Sequence, residues 1–135
     1  MRILLCLDYS PFTEKVLLAL QDFIHSLKEY EITVVHVIDE TLLYAGTGYE
    51  IQLNEELKAN SEAIKQSAIK YLGEKVVYRE EYGIPRQQID EVLAEANYDL
   101  LVVGRRSKNM LAEMFLGSIA THLLTNCKKP VLVIS

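Results

Sequence analysis

The sequence has few of the features that mark a membrane protein, a disulfide-rich protein or a polycation. Its 135 residues include no tryptophan, two cysteines and three prolines. No apolar run approaches the roughly 18 residues needed to cross a bilayer. The net charge of −5 argues against nonspecific binding to nucleic acid or anionic lipid, because both need positive charge spread over a face. We therefore expect no nucleic-acid partner and no membrane partner.

The chain has two cysteines and a short apolar run near its start. Cys6 and Cys127 each lie in an apolar stretch, which is typical of buried thiols; a disulfide or a metal-binding pair is the alternative. Without clustered histidines, two cysteines do not make a zinc site. The apolar run at residues 3–7 is too short for a signal peptide and is followed by no cleavage pattern. The expected location is the cytoplasm.

The usual signatures of nucleotide enzymes are missing. There is no Gly-x-x-x-x-Gly-Lys-Ser/Thr loop and no Gly-x-Gly-x-x-Gly after a strand. The histidines are scattered, and none has an evident nucleophile beside it, not even His122. A two-component receiver would need paired acids after its first strand, where only Asp8 stands. Whether the chain is an enzyme is left open.

Continuous apolar runs alternate with helical patterns along the whole chain. Such runs indicate strands covered on both faces, as in parallel sheets. The buried runs are residues 3–7, 32–38, 100–103 and 131–134, and residues 75–79 read as a more polar edge strand. Between them, Ser10 and Pro11 can start a first helix, Gly73 ends a second, Pro85 starts a third and Pro130 stops a fourth.

This alternation predicts one α/β domain over residues 1–135, with a doubly wound, five-stranded parallel sheet of order 3-2-1-4-5. Strands 1 and 4 are then neighbours whose connections leave in opposite directions. The crevice above their carboxyl ends is the expected ligand site.

Two loops at this crevice carry candidate binding residues. The first contains Asp8, Tyr9 and Ser10; the Asp8 carboxylate could accept a ribose hydroxyl or help to hold a metal ion, or it could cap the next helix. The loop after strand 4 favours an anion, because a helix N-terminus offers free N–H groups and partial positive charge. An ordinary capped helix behind exposed basic residues is the alternative. This loop and helix supply Gly104, Arg105, Arg106, Ser107, Lys108, Gly117, Ser118 and Thr121.

At these residues the chain resembles the universal stress protein family. The family fingerprint is Gly, two residues, Gly, nine residues, then Gly with Ser or Thr; the chain keeps this spacing from Gly104 to Gly117 and Ser118. Asp8, the His36-Val37 pair, Gly83-Ile84-Pro85 and the last strand with its preceding Lys-Pro agree with it. One position departs from the fingerprint, because Ser107 stands in place of the second Gly.

The resemblance implies a flavodoxin-like, adenine nucleotide alpha hydrolase-like fold and a homodimer tied to stress responses. Members with the intact fingerprint tend to bind ATP, which would bring Mg²⁺ with it. Carried over by position, Asp8 would face ribose and Val37 would meet adenine through its backbone. The phosphates would lie among Gly104, Ser107, Gly117, Ser118 and Thr121. Any ATP hydrolysis would be slow, because no dedicated base is visible.

The last strand also predicts self-association. Val131, Leu132, Val133 and Ile134 would lie on an open edge, and pairing of two such strands across a twofold axis would protect them. The alternative is a short edge covered by the protein's own helices. Two functions remain open: a regulatory protein that binds an adenine nucleotide, and a homodimeric interaction protein of the same fold that binds none.

Overall fold

The structure is a computed structural model that describes residues 1–42, 50–105 and 116–135. Strands and helices alternate throughout, and a short 3₁₀ helix, Glu40–Leu42, follows the second strand. Within the described residues no helix is long and apolar enough to cross a membrane. The elements are β1 (Arg2–Cys6), α1 (Thr13–Ile24), β2 (Glu31–Asp39), α2 (Glu50–Leu72), β3 (Val77–Gly83), α3 (Pro85–Glu95), β4 (Leu100–Gly104), α4 (Ser118–Asn126) and β5 (Val131–Ile134).

The five strands form one parallel sheet of order β3-β2-β1-β4-β5, which confirms the predicted topology. The central strand β1 pairs with β2 through Cys6 and Val35, and with β4 through Cys6 and Val103. The strand order therefore reverses between β1 and β4. The carboxyl ends of both strands meet at one edge of the sheet.

Four of the five strands, β1, β2, β4 and β5, contribute to two separate cores, one on either face of the sheet. Side chains alternate along a strand, so Ile3 and Leu5 pack with α1 and α2, whereas Leu4 and Cys6 pack on the face covered by α3 and α4. Helices cover both faces of the central strand, and Ile3, Leu4 and Leu5 are fully buried. This two-sided burial explains why the strand sequences are continuous apolar runs.

The predicted start of the first helix is wrong by two residues. The helix begins at Thr13 instead of Pro11, and its N-cap position, Phe12, makes no side-chain cap. Ser10 instead closes the turn before the helix: its hydroxyl accepts the Phe12 N–H at 3.1 Å, and its own N–H donates to the Thr13 hydroxyl at 3.0 Å. The polar residues of this segment are used in the turn after β1.

The edge strand also differs from its prediction at both ends. It spans Val77–Gly83 instead of residues 75–79, because the Val76 N–H still belongs to the turn that follows Gly73. Gly73 ends α2 with a φ of 95°, as expected of a helix-terminating glycine. Pairing with β2 then carries β3 through seven residues, from Thr33 opposite Val77 to Asp39 opposite Gly83.

Gly83 turns the chain from β3 into α3, which Pro85 opens as predicted. The φ of Gly83 is 141°, a region that L-residues rarely adopt. A Cβ built on it would lie 2.9 Å from the Gln88 Nε2 atom. Backbone conformation and available space both favour glycine here.

Replacing Gly83 with Ala should therefore lower the free energy of unfolding by about 1–3 kcal/mol, because the alanine would hold a strained φ. Urea denaturation followed by circular dichroism measures this change. Gly73→Ala is the matched control, since its φ is also positive but nothing lies within 4 Å of the added Cβ. Equal losses in the two variants would show that crowding by Gln88 contributes nothing.

Candidate functional site

A cavity of about 480 Å³ lies at the carboxyl ends of the strands, where the order of the sheet reverses. Its wall is formed by the ends of β1, β2 and β4, by the starts of α3 and α4, and by one side of α2. The lining residues are Cys6, Leu7, Asp8, Tyr9, Val35, His36, Val37, Ile38, Asp39, Leu57, Asn60, Pro85, Ile89, Val103, Gly104, Gly117, Ser118, Ile119 and Ala120. The volume suits a small organic ligand such as a nucleotide.

The backbone of Val37 presents a donor and an acceptor to this cavity. The last bond between β1 and β2 runs from the Leu7 N–H to the Val35 carbonyl, at 3.0 Å. Alternate residues of a strand point their N–H and C=O groups to the same side, so Val37 also faces β1. Because the paired part of β1 has ended at that level, the Val37 N–H and C=O face the cavity.

His36 ends the pairing of β1 with β2. Its imidazole is buried, and Nδ1 lies 2.9 Å from the Leu7 carbonyl oxygen. The carbonyl can only accept, so Nδ1 carries the proton and donates it. A continued ladder would have used the Leu7 carbonyl to bind the Val37 N–H. The His36 imidazole therefore takes the place of the Val37 N–H as the donor to the Leu7 carbonyl oxygen.

Two carboxylates line the cavity. Asp8 accepts the Thr13 hydroxyl through its backbone carbonyl, while its carboxylate has no hydrogen bond or ion pair to the described part of the chain. The carboxylate of Asp8 thus does not cap α1, and it is available to a ligand. Asp39 is more constrained, because its Oδ1 accepts the Thr41 N–H at 3.0 Å and the Thr41 hydroxyl at 2.6 Å.

The first turn of α4 supplies backbone donors at the opposite side of the cavity. Ser118, Ile119 and Ala120 begin this helix, and their N–H groups have no helical acceptor before them. The N–H of Gly117 is different, because it donates to the Arg105 carbonyl at 2.7 Å. Gly117 is buried with an ordinary φ of −62°, so its value at this position is the absence of a side chain beside the cavity.

The structure brings six of the predicted binding residues together around the cavity: Asp8, Tyr9, Val37, Gly104, Gly117 and Ser118. Two others, Arg106 and Ser107, lie outside the described residues.

Three predicted residues do not line it. Ser10 is held in the turn before α1 and lines a neighbouring groove between α1 and α2. Thr121 is exposed on α4, one turn beyond Gly117. Arg105 uses its backbone to join β5 and α4, donating to the Ile134 carbonyl and accepting from Gly117.

Sequence reasoning missed the wall formed by α2 and α3. Leu57 and Asn60 stand three residues apart on α2 and so share a face of that helix, while Ile89 approaches from α3. No motif marks these positions. Asp39, the first residue of the loop expected at the crevice after strand 2, also lines the cavity, although it was not predicted as a binding residue.

Among the described residues, no ionisable side chain at the cavity is an activated nucleophile. Burial, aided by the nearby Cys127, raises the pKa of the Cys6 thiol to about 12, so this thiol is neutral at physiological pH. Both cysteines are free. His122 lies away from the cavity and pairs through Nε2 with the Asp90 carboxylate at 2.9 Å, and its Nδ1 lies 3.2 Å from the Asn126 amide. In the described residues no cluster of three or more acidic, His or Cys side chains could hold a metal ion.

The comparisons with known proteins agree with this architecture. The model of the universal stress protein family matches residues 1–135. The universal stress protein MJ0577 of Methanocaldococcus jannaschii is 29% identical over 153 aligned positions, which cover 98% of this chain and 93% of that protein. Its solved structure superimposes with a TM-score of 0.84.

More distant solved structures share the fold. The universal stress protein of Archaeoglobus fulgidus in complex with dAMP is 20% identical, with a TM-score of 0.57, over 100% of this chain and 98% of that one. A universal stress protein family protein from Arabidopsis thaliana with AMP bound is 15% identical, with a TM-score of 0.63, over 99% and 90%. With the family model matching the full length and the sheet order matching the fold, the chain belongs to the universal stress protein family.

Proposed function

We propose that the chain is a stress-response regulatory protein that binds an adenine nucleotide in the cavity above β1 and β4. One observation carries the proposal: a backbone donor–acceptor pair, an available carboxylate and a helix N-terminus all face a single cavity of about 480 Å³. These three groups match the base, the ribose and the phosphates of a nucleotide. The complexes of distant relatives with dAMP and AMP support the same assignment.

Adenine fits the Val37 backbone because its N1 atom accepts and its N6 amino group donates. The Val37 N–H and C=O would bind these two atoms in the way that a neighbouring strand would bind them. Apolar side chains from Ile38, Leu57 and Ile89 line the same cavity and would cover the ring. The Asp8 carboxylate, which has no partner in the described part of the chain, would accept the ribose hydroxyls.

The phosphates belong at the first turn of α4. Its free N–H groups and partial positive charge favour an anion, and Gly117 leaves room for close approach. The described lining also contains two carboxylates, Asp8 and Asp39, and no Lys or Arg. The side of the cavity at the ends of β1 and β2 therefore repels additional negative charge. ATP would therefore enter with Mg²⁺ on its own phosphates, since that ion needs only one or two carboxylates from a protein.

A homodimeric interaction protein that binds no nucleotide is the second candidate. The short edge strand β5 favours a homodimer. The two carboxylates in the cavity lining argue against tight binding of a triphosphate. The two candidates differ in whether the cavity is occupied. Mass spectrometry of nucleotides released from gently purified protein, followed by calorimetry with AMP, ATP and Mg²⁺, distinguishes them. A protein that binds none of these at millimolar concentration is not an adenine-nucleotide protein.

Gly117→Val should abolish nucleotide binding, because a branched side chain at a buried position would fill the space before α4. Calorimetry measures the binding, and circular dichroism should show an unchanged spectrum. Thr121→Val is the matched control: it introduces the same residue at an exposed position of the same helix, away from the cavity, and should leave binding unchanged. If Gly117→Val binds normally, the phosphates do not lie at α4.

We also propose that β5 pairs with its counterpart in a second copy. It is an edge strand, and its bonds to β4 use the carbonyls of Pro130 and Ile134. Because backbone groups alternate in direction, the N–H and C=O of Val131 and Val133 point away from β4. A second copy of β5 could satisfy these groups across a twofold axis.

Val133→Pro should give a folded monomer, because proline removes an N–H on the free edge while leaving the bonds to β4 in place. Light scattering measures the mass, with Val133→Ala as a control that trims the side chain but keeps the N–H and the dimer. If Val133→Pro remains a dimer of unchanged mass, β5 is not the interface. Insoluble protein would instead indicate that Val133 is needed for folding.

A further inference from the structure

Asn60 places in the wall of the cavity a side-chain amide that has no partner among the residues the structure describes. It lies on α2, is partly buried, and lines the cavity beside Leu57, one turn before it on the helix. Its carboxamide makes no hydrogen bond to any of the residues in the described ranges. The next residue shows the contrast: the Ser61 hydroxyl is buried and bound to the Tyr78 hydroxyl at 2.7 Å.

A polar group in a mostly apolar wall fixes the orientation of whatever binds there. Asn60 lines the same cavity as the apolar side chains of Ile38, Leu57 and Ile89, which would cover a planar ring. A carboxamide both donates and accepts, and a partly desolvated amide gains from a ligand that does the same. The neighbouring carboxylate, Asp39, can only accept and already binds Thr41.

Adenine has two hydrogen-bonding edges in its plane. If Val37 binds N1 and one N6 hydrogen, the Hoogsteen edge is left with N7 as an acceptor and the second N6 hydrogen as a donor. An asparagine amide matches N7 and N6 of adenine with two hydrogen bonds. Guanine offers two acceptors, N7 and O6, on the same edge, so the amide oxygen would face another oxygen.

We propose that the Asn60 side chain binds the Hoogsteen edge of adenine, donating to N7 and accepting from the N6 amino group, and so selects adenine over guanine. This inference rests on the proposed adenine-nucleotide function of the cavity. It adds a side chain of α2 to a site otherwise built from strand ends and a helix N-terminus. Base selectivity would then depend on both the Val37 backbone and the Asn60 amide.

The test compares AMP with 7-deaza-AMP, which lacks only the N7 acceptor, by titration calorimetry. The wild-type protein should bind AMP about tenfold more tightly, the loss expected when one hydrogen bond leaves a donor unpaired. Asn60→Ala should bind AMP more weakly and should treat the two ligands alike. Alanine is the better helix former, so the variant should keep its fold.

Two further variants make the comparison specific. Asn60→Asp keeps the shape of the side chain but cannot donate to N7, so it too should lose the preference for AMP. Asn54→Ala, on the same helix but outside the cavity lining, should keep the tenfold preference.

The outcomes separate the two levels of the proposal. Wild-type protein that binds AMP and 7-deaza-AMP equally, or an Asn60→Ala variant that still prefers AMP, overturns the role of Asn60 and leaves the adenine site standing. Wild-type protein that binds neither ligand overturns the adenine site and the role of Asn60 with it.

Discussion

The cavity exists because β1 stops pairing with β2 before β2 ends. The last bond runs from the Leu7 N–H to the Val35 carbonyl, and the His36 imidazole takes the Leu7 carbonyl that would have continued the ladder. A backbone ladder satisfies its own polar groups, so an interrupted one leaves groups that need another partner. The interruption at the centre of the sheet opens the cavity and leaves the backbone groups of Val37 facing it.

The rest of the molecule holds that interruption in place. The two cores pack against both faces of the central strand β1, with Leu4 and Leu5 fully buried on opposite sides. Helices α3 and α4 then reach the same edge of the sheet by right-handed crossovers, which brings Ile89 and Ser118 to the cavity. Helices and strands therefore supply most of the described wall of the cavity, while Asp8 and Gly117 stand in the connections at their ends.

The sequence alone predicted the sheet order and much of the site, because both depend on periodicity and on the ends of strands. Asp8 could be placed in this way, whereas Val37 was expected only from the resemblance to the family. Asn60 could not, since its role depends on the direction in which α2 crosses the sheet and on which of its faces meets the cavity. Ser10 was misplaced because capping signals in a turn can serve the turn itself, as its bonds to Phe12 and Thr13 show.

The hydrogen bond from Gly117 to Arg105 has a consequence for how the family can vary. This bond joins the two residues that flank residues 106–116, and the Arg105 N–H in turn donates to the Ile134 carbonyl. Closing a longer loop costs little extra entropy, since each doubling of length adds only about 0.6 kcal/mol. Insertions or deletions between these two anchors should therefore leave the sheet and α4 where they are, so that relatives can differ in the length of this segment while the scaffold stays unchanged.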